Sequence, residues 1–444
     1  MPRVKTYNIP VRTETKKREP KKSVQNTIPS AEVKQVVILG GGFGGVRAAL
    51  DLSKWAPSAK IVLVDRNKFH SYTADYYELS AALFVPKEPL GREEYLELAS
   101  SVALPFKDIF SGRANLKFIQ SEVQDVDFKR KRVLLKEGHL HYDYLVIALG
   151  SETNFCAIPH LNERGLEIKT TYDALNIRST LDEAFETSGK NDVVSIVIGG
   201  GGFTGCEFAG ELGVVIKKLA KLYNHPAKNV SVTVLEGSGA LLGRAGAWFS
   251  EKAKRRLEKL GVKVELESFI TDVKKKEVIL KDGRVVKFSL LIWTAGVRPN
   301  CFLEKLKGLK LYKNNCIIVD SNLQAVGREN VFVIGDLAYF LSENKTPLPM
   351  TAQVAMEQGH YVARFIASKF IGKSWPEYRP KKERFIVPLG SKYALADLGF
   401  IKISGFLPWL LKRVVGFKYF ASILPFGKAF LVWREGIKIS TNND

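Results

Sequence analysis

Residues 34–45 read KQVVILGGGFGG and open with the pattern of a buried strand, because residues 36–39 are all apolar. Gly40, Gly42 and Gly45 follow at GxGxxG spacing. In such a turn the first glycine permits a tight bend, the second lets the backbone approach a pyrophosphate, and the third lets helix and strand pack closely. The helix that follows points its free N–H groups and positive dipole end at that pyrophosphate. We therefore expect dinucleotide contacts from Gly40, Gly42, Phe43, Gly44 and Gly45.

The next predicted strand, residues 61–64, supplies the acid that such a site requires. It ends in Asp65, which lies 20 residues past Gly45. A carboxylate at this place can accept hydrogen bonds from the ribose hydroxyls of an adenosine. A glycine turn alone is weak evidence, since such turns also occur without a ligand. Strand, turn, helix and acid in register together predict a dinucleotide site.

The same pattern restarts in the second third of the chain. Residues 193–198 predict another buried strand, glycines repeat the GxGxxG spacing, and the strand 230–235 ends in an acid 31 residues past the last glycine. Two complete sets of strand, glycine turn, helix and acid predict two bound dinucleotides, or one dinucleotide per domain in a duplicated architecture. The expected contacts in this second unit are Gly200, Gly202, Phe203, Thr204, Gly205 and Glu236.

The second acid also bears on the type of nicotinamide cofactor. Glu236 is followed by Gly237, Ser238 and Gly239 without an adjacent arginine, and Arg244 is the first cation after it. A 2′-phosphate would therefore meet a carboxylate rather than a cation. The sequence predicts a preference for NADH over NADPH.

Three further predicted strands end in small-residue turns. Residues 142–150 and 289–299 mirror each other, and the strand within residues 330–336 delivers Asp336 at its carboxyl end. Asp336 is either an ordinary turn residue or a ligand for the ribityl and pyrophosphate region of a flavin. We predict an α/β fold in which a discontinuous FAD-binding domain, residues 31–152 and 289–369, encloses an NADH-binding domain, residues 153–288. The turn residues expected at the cofactors are Gly150, Gly296, Gly335 and Asp336.

The composition is that of a globular protein with an unusual charge. The 444 residues suffice for two or three domains, 45% are hydrophobic, and the formal net charge is +21. Such a charge favours nucleic acid, an anionic membrane or anionic substrates, and does not choose among them. The four cysteines have no CxxC or metal-ligand spacing. We therefore expect inert thiols in a reducing compartment and no metal site.

Two segments outside the nucleotide units stand out. Residues 1–30 carry eight lysines or arginines against Glu14 and Glu19, which predicts a disordered basic tail. This tail is either a solvated extension or a segment attracted to acidic lipid. Residues 69–86, FHSYTADYYELSAALFVP, are rich in aromatics. They form either structural packing near the cofactor or the lining of a tunnel for an apolar substrate.

Two motifs carry a resemblance to a known family. GGGGFTGCEFAGELG at residues 199–213 and TAQVAMEQG at residues 351–359 resemble motifs of flavoproteins with two dinucleotide-binding domains, the superfamily of glutathione reductase. Within it the chain is most similar to type II NADH:quinone oxidoreductases, over about residues 35–440. The resemblance implies FAD and NADH as cofactors and a membrane quinone as electron acceptor. Glu357 departs from the family pattern, in which a neutral residue is expected.

The resemblance also implies catalytic residues. It places Gln353 and Gln358 at the quinone and the flavin, and the N-terminus of their helix, with Thr351 as cap and Ala352 beside it, at the flavin pyrimidine edge. That N-terminus would stabilise negative charge on the reduced flavin. Gln353 is otherwise a solvated first-turn residue. Glu207 would hold nicotinamide or ribose and relay protons, or is a plain helix-terminus carboxylate.

The carboxyl-terminal region, residues 370–444, is predicted to associate with a membrane. Within residues 406–424 the apolar side chains follow helical spacing, and a second element, residues 426–433, extends the surface. Charges interrupt the apolar run, so we expect the helix to lie in the interface of an anionic membrane. A homodimer interface or a core helix are the alternatives. The expected apolar stripe is Leu410, Val414, Phe417, Ala421 and Leu424, with Lys412, Arg413 and Lys418 off it.

The sequence thus predicts a peripheral flavoenzyme on the cytoplasmic face of the cell membrane that oxidises NADH and reduces a quinone. We expect no proton pumping, since no apolar run is long enough to span a bilayer. The alternatives are a sulfide:quinone oxidoreductase or another FAD-dependent pyridine-nucleotide oxidoreductase. Sulfide chemistry needs cysteines on both sides of the flavin, and none follows Cys316, although Cys156 and Cys301 remain. A nucleic-acid partner is not expected, because no nucleic-acid motif accompanies the charge.

Overall fold

The computed structural model of the protein describes residues 33–83 and 98–444. The predicted basic tail, residues 1–30, and residues 84–86 of the aromatic stretch lie outside the described residues. The first nucleotide unit is built on a parallel five-stranded sheet, with helices covering its faces. Its central strand is the apolar run that precedes the first glycine turn. The strands, in spatial order, are Val331–Val333, Tyr144–Ile147, Gln35–Leu39, Lys60–Asp65 and Leu116–Gln120.

A second parallel five-stranded sheet repeats this plan around the second glycine turn. Its central strand pairs with the next strand in register, so that Ile196 lies opposite Val232. The two sheets confirm the predicted α/β class with two Rossmann-like units. The strands, in spatial order, are Leu166–Glu167, Leu290–Trp293, Val194–Gly199, Val230–Leu235 and Lys263–Glu265.

One predicted domain boundary is wrong. The sequence interpretation assigned residues 289–299 to the FAD-binding domain, but the strand Leu290–Trp293 pairs with Val194–Gly199 in the second sheet. All four of its residues are buried and apolar, a pattern that fits the interior of either sheet. The chain returns to the first unit one step later, where Val297–Pro299 pairs antiparallel with Ser151–Thr153.

Long helices pack on the two sheets. The first glycine helix, Phe43–Trp55, lies along the helix Ala352–Phe370, whose Val362, Ala363 and Ile366 are fully buried. The second glycine helix is Phe203–Leu222. The helix Thr171–Glu186 begins at a capping box, in which Thr170 and Asp173 satisfy each other's backbone N–H groups. Further helices are Tyr76–Ser80, Phe106–Ile109, Leu161–Arg164 and Ala247–Lys259.

Short strands form smaller sheets outside these layers. Two of these are three-stranded antiparallel hairpin sheets, and two are strand pairs, the first antiparallel and the second parallel. The hairpin sheets are Val123–Asp127, Arg132–Leu135 and His139–His141, and Ile270–Lys274, Glu277–Leu280 and Val285–Lys287. The pairs are Phe69–Ser71 with Ala103–Pro105 and Ile317–Ile318 with Ala338–Tyr339.

The region 370–444 is not one amphipathic segment, which corrects the sequence interpretation. It begins with an antiparallel sheet, Phe385–Pro388, Ala394–Asp397 and Lys402–Gly405, whose apolar side chains join the core of the second unit. Each strand has only four residues, too few for an alternating pattern to predict this packing. Two helices follow, Phe406–Ile423 and Phe426–Asn443, which we call the terminal helix pair.

Two of the three cations of the first terminal helix face the protein interior, and the third, Lys418, is exposed. Lys412 Nζ donates to Asp75 Oδ1 at 2.9 Å, and Arg413 Nη1 donates to Glu78 Oε2 at 3.1 Å, with both cations largely enclosed. The partner carboxylates come from a distant segment, so their position under the helix is not visible in the sequence. Lys412 and Arg413 are therefore not available to anionic lipid.

The predicted apolar stripe is only partly exposed. Leu410 and Val414 are 44% and 53% exposed, whereas Leu424 is 7% exposed and packs in the first core. Leu407, at 70%, belongs to the same exposed surface. Within residues 33–83 and 98–444, no helix combines the length and apolar character needed to cross a membrane.

Candidate functional site

Both glycine turns open on one cavity of about 470 Å³. Gly42 and Phe43 of the first turn line one side, and Phe203 and Thr204 of the second turn line another. The first turns of both glycine helices therefore point toward a shared space. Positive dipole ends and free N–H groups at that place favour phosphate groups.

The first turn is shaped by a close approach of its own backbone. A methyl group on Gly45 would lie 1.9 Å from the carbonyl oxygen of Gly40, so a side chain does not fit there. Gly42 differs, because a methyl group on it would meet nothing within 4 Å. Gly40 and Gly45 thus set the bend, whereas Gly42 leaves open the space that a pyrophosphate would approach. Gly44 also lines the cavity.

The second turn has the same geometry. A methyl group on Gly205 would lie 1.9 Å from the carbonyl oxygen of Gly200, and one on Gly202 would point into open space. Because both turns keep an open cradle beside a helix N-terminus, the residues present fit two dinucleotides. Gly202, Phe203 and Thr204 lie on the open side of this turn, and Gly200 and Gly205 form its close backbone contact.

The two strand-end acids hold their glycine turns. Asp65 Oδ2 accepts the N–H of Gly41 at 2.7 Å, and Glu236 Oε2 accepts the N–H of Gly201 at 2.6 Å. The second oxygen of each carboxylate accepts another backbone N–H, from Asn67 and Ser238 respectively. Each oxygen has a further lone pair, which could accept a ribose hydroxyl. The predicted ribose contacts of Asp65 and Glu236 thus remain predictions.

A hydrogen-bonded chain of three residues lies where the two units meet. Ser151 donates to Asp336, and Lys169 Nζ donates to Ser151 Oγ at 2.7 Å. Lys169 and Asp336 line the cavity. Burial lowers the pKa of Lys169, while the charges of Asp336 and Glu167 oppose that shift. Asp336 was predicted at this site, but the sequence analysis missed Lys169 and Ser151.

The sequence contains a weak indication that Lys169 belongs to the site. Lys169 immediately precedes the capping box of the helix Thr171–Glu186, at the carboxyl end of the strand Leu166–Glu167. Ligands in parallel sheets gather at such strand ends. The aromatic stretch contributes as well, since the buried Tyr76 and Tyr77 reach the cavity wall. The predicted Gly150, Gly296 and Gly335 also line it.

The helix Ala352–Phe370 begins at the cavity. The Thr351 hydroxyl accepts the N–H of Val354 at 3.3 Å, and both Thr351 and Ala352 line the wall. The helix therefore directs the positive end of its dipole into the cavity, where it would stabilise developing negative charge.

The two glutamines predicted on this helix do not line the main cavity. Gln353 Nε2 donates to Glu357 Oε1 at 3.1 Å. Gln358 is 1% exposed, and its Oε1 accepts the N–H of Gly335 at 2.7 Å. Residues five apart on a helix point in directions about 140° apart, so the two side chains cannot share one wall. Gln358 instead holds the turn that presents Asp336.

Glu207 lines the cavity on the second turn of its helix. Burial raises its pKa to about 8, Lys412 opposes this, and Asp75 and Glu78 raise it further. Such a carboxyl group carries a proton at neutral pH. Glu211, one turn further on, also has a pKa of about 8 because of burial and Glu78. Its Oε1 accepts from Asn443 Nδ2 at 2.7 Å, behind the cavity wall.

The sequence is similar to those of curated type II NADH:quinone oxidoreductases. The chain is 28% identical over 414 residues to a type II NADH:quinone oxidoreductase of Staphylococcus haemolyticus, covering 91% of this chain and 98% of that protein. A relative of the same name from Staphylococcus aureus (strain NCTC 8325 / PS 47) is 28% identical over 409 residues, with 89% and 98% covered.

Solved structures share the fold. NDH2 of Plasmodium falciparum in complex with NADH matches with a TM-score of 0.80 and 19% identity, covering 91% of this chain and 98% of that chain. The sulfide:quinone oxidoreductase of Aquifex aeolicus matches with a TM-score of 0.71 and 20% identity, covering 91% and 92%. At these identities the matches establish the fold alone.

The family follows from a direct match to the sequence. The model of the pyridine nucleotide-disulphide oxidoreductase family matches residues 34–359, which is more than half of the chain. That range contains both glycine turns, both strand-end acids, Lys169 and Asp336. The chain belongs to the pyridine nucleotide-disulphide oxidoreductase family.

Proposed function

We propose that the protein is an FAD-dependent NADH:quinone oxidoreductase. The observation that carries this proposal is that two glycine turns, one in each unit, open on a single cavity. Two dinucleotides held there would place their reactive rings close together. The names of the curated relatives, which span nearly the whole chain, support the same activity.

We assign FAD to the first unit. Gly42 and the N-terminus of the helix Phe43–Trp55 would bind its pyrophosphate, and Asp336 its ribityl hydroxyls. The bound flavin supplies the redox chemistry, accepting a hydride and passing two electrons on. The N-terminus at Thr351 and Ala352 would stabilise negative charge at one edge of the ring. Lys169 offers a further cation on the same wall.

We assign NADH to the second unit. Gly202 and the N-terminus of the helix Phe203–Leu222 would bind its pyrophosphate. Glu236 would accept the adenosine ribose hydroxyls and repel a 2′-phosphate, which favours NADH over NADPH. Enclosure by Phe43 and Phe203 would exclude water while the hydride moves.

The electron acceptor is proposed to be a membrane quinone. Quinone reduction consumes NADH and a proton, giving NAD⁺ and quinol. We assign Glu207 as the group that holds the required proton at the cavity wall. Gln353 lies on the first turn of the helix Ala352–Phe370, where its amide could donate to a quinone after releasing Glu357. Gln358 acts indirectly, by holding Gly335.

We propose a peripheral position on the cytoplasmic face of an anionic membrane. The terminal helix pair exposes eight large apolar side chains, an unusual feature for a surface in contact with water. Lys418 is exposed beside them and could contact acidic headgroups, whereas the exposed Lys428 pairs with Asp108. A homodimer that buries the same side chains is the alternative. These side chains are Phe406, Leu407, Leu410, Val414, Val415, Phe426, Phe430 and Leu431.

The activity is tested by following the flavin spectrum in an anaerobic stopped-flow experiment. We expect NADH to bleach the flavin absorbance of the purified protein and a soluble quinone analogue to restore it. NADPH should give a kcat/KM lower by about tenfold or more, because Glu236 meets its phosphate. Sulfide without NADH should not bleach the flavin. A flavin that NADH leaves oxidised, or a chain that purifies without flavin, would overturn the proposal.

The assignment of one cofactor to each turn is tested by a matched pair of substitutions. Gly42→Ala and Gly202→Ala both add a methyl group to open space at ordinary backbone angles, so both variants should fold. We expect Gly42→Ala to raise the Kd for FAD by about tenfold or more and to leave NADH binding intact. Gly202→Ala should instead raise the KM for NADH. The reverse pattern, or equal effects on both ligands, would contradict the assignment.

The role of Glu207 is tested by the pH dependence of turnover. With a pKa of about 8, its carboxyl group is protonated below pH 8 and loses the proton above it. Wild-type kcat should therefore fall as the pH rises through 8. Glu207→Gln should lower kcat by about tenfold or more at pH 7 and remove this descending limb. Glu211→Gln is the control, since Glu211 has a similar pKa but does not line the cavity. Unchanged turnover of Glu207→Gln at every pH would refute the role.

Membrane binding is tested by co-sedimentation with vesicles of phosphatidylglycerol and phosphatidylcholine. The double variant Leu407→Gln/Val414→Gln removes two exposed apolar side chains and should weaken binding by about tenfold or more. Val193→Gln is the control, because Val193 is 62% exposed and belongs to neither terminal helix. If the double variant bound vesicles as tightly as wild type, or changed from dimer to monomer instead, the homodimer interface would be favoured.

A further inference from the structure

A buried histidine connects the first glycine turn to the terminal helix pair. His70 is completely buried; its Nδ1 lies 2.9 Å from the carbonyl oxygen of Gly41, and its Nε2 lies 2.7 Å from the hydroxyl of Tyr419. Gly41 belongs to the first glycine turn, and Tyr419 to the helix Phe406–Ile423. The imidazole therefore bridges two segments that are more than three hundred residues apart in the chain.

The direction of both hydrogen bonds follows from their partners. A carbonyl oxygen only accepts, so Nδ1 of His70 must carry the hydrogen. Burial lowers the pKa of His70 to about 4, which leaves the ring neutral near pH 7 and its Nε2 an acceptor. The hydroxyl of Tyr419 must then donate to Nε2. Both hydrogen bonds therefore point the same way: Tyr419 donates to His70, and His70 donates to Gly41.

This bridge holds the second of the two polar backbone groups of Gly41, since the first is already held. The N–H of Gly41 donates to Asp65, and its carbonyl oxygen accepts from His70. The ring of Phe106 fills the space beside Gly41, since a methyl group there would lie 2.1 Å from it. Removing the histidine bond would free the carbonyl of a turn that must hold its amides toward a pyrophosphate.

The second glycine turn holds its corresponding carbonyl oxygen with different partners. Its equivalent N–H, that of Gly201, also donates to the strand-end acid, Glu236. Its carbonyl oxygen, however, accepts from the N–H of Leu242 at 2.9 Å and from Cys206 Sγ at 3.2 Å, both within its own unit. Among the described residues, only the first turn has its carbonyl held through a side chain that bonds to the terminal helix pair.

Aromatic contacts support the same link. Tyr72 stacks on Tyr419 with ring centroids 5.3 Å apart, and Phe43 contacts His70 at 5.1 Å and Tyr419 at 5.2 Å. Phe43 in turn lines the cavity. The face of the helix Phe406–Ile423 that bears Tyr419 is thus packed against the first glycine turn.

We infer that Tyr419 and His70 are positioning residues for the first dinucleotide, so that the terminal helix pair forms a structural part of the flavin site. The inference rests on the proposed function in taking that dinucleotide to be FAD. The terminal helix pair, which carries the exposed apolar side chains, would then also affect the affinity of the protein for flavin.

The test is the affinity of the full-length, deflavinated protein for FAD, measured by quenching of flavin fluorescence. Tyr419→Phe keeps the ring and removes the hydroxyl that bonds His70, and it should raise the Kd for FAD by about tenfold. Tyr72→Phe is the matched control, because it removes a hydroxyl from the same stack without touching His70. Its Kd should stay within about twofold of wild type.

Two further measurements separate positioning from general destabilisation. At saturating FAD the KM for NADH of Tyr419→Phe should match that of wild type, since the second turn is held independently. In a His70→Leu background, Tyr419→Phe should add no further loss of FAD affinity. An unchanged Kd in Tyr419→Phe, an equal loss in Tyr72→Phe, or additive losses in the double variant would overturn the inference. A wild-type protein that binds no FAD would instead overturn the proposed function.

Discussion

The close approach of Gly45 to the carbonyl oxygen of Gly40, repeated at Gly205 and Gly200, is the contact on which the site depends. A methyl group at either position would lie 1.9 Å from that oxygen, so the strand can bend into the helix only where glycine stands. The bend directs each helix N-terminus to the carboxyl edge of its sheet. Both cofactor assignments, and the shared cavity, require this local geometry.

Two such bends make one site only because the units are joined in a particular way. The chain leaves the first unit at Ser151–Thr153 and returns at Val297–Pro299, and these two strands pair with each other. The crossing therefore fixes the carboxyl edges of the two sheets relative to each other. Lys169, Ser151 and Asp336 lie at the same crossing, and hydrogen bonds between their side chains span it. A cation and an anion are thus held apart by a hydroxyl on the wall where the two units meet.

The sequence was sufficient for features that depend on neighbouring residues, and insufficient for those that depend on distant ones. Periodicity and glycine spacing predicted both nucleotide turns, their strands and the strand-end acids. They could not assign Leu290–Trp293 to a sheet, because a buried apolar strand fits either one. They also could not show that Gln358 faces Gly335, or that His70 bonds both Gly41 and Tyr419. Each of these contacts joins segments whose proximity arises only in the folded chain.

The first half of the helix Phe406–Ile423 departs from an ordinary surface helix, which turns its apolar side inward and its charges to water. Here Lys412 and Arg413 point into the protein, toward Asp75 and Glu78, while Leu410 faces outward. Enclosed ion pairs cost several kcal/mol per ion in lost hydration, so they are weak evidence of a gain in stability. Their effect is to fix the helix in one orientation. Because that same orientation brings Tyr419 onto His70, the apolar surface and the first glycine turn are parts of one rigid arrangement.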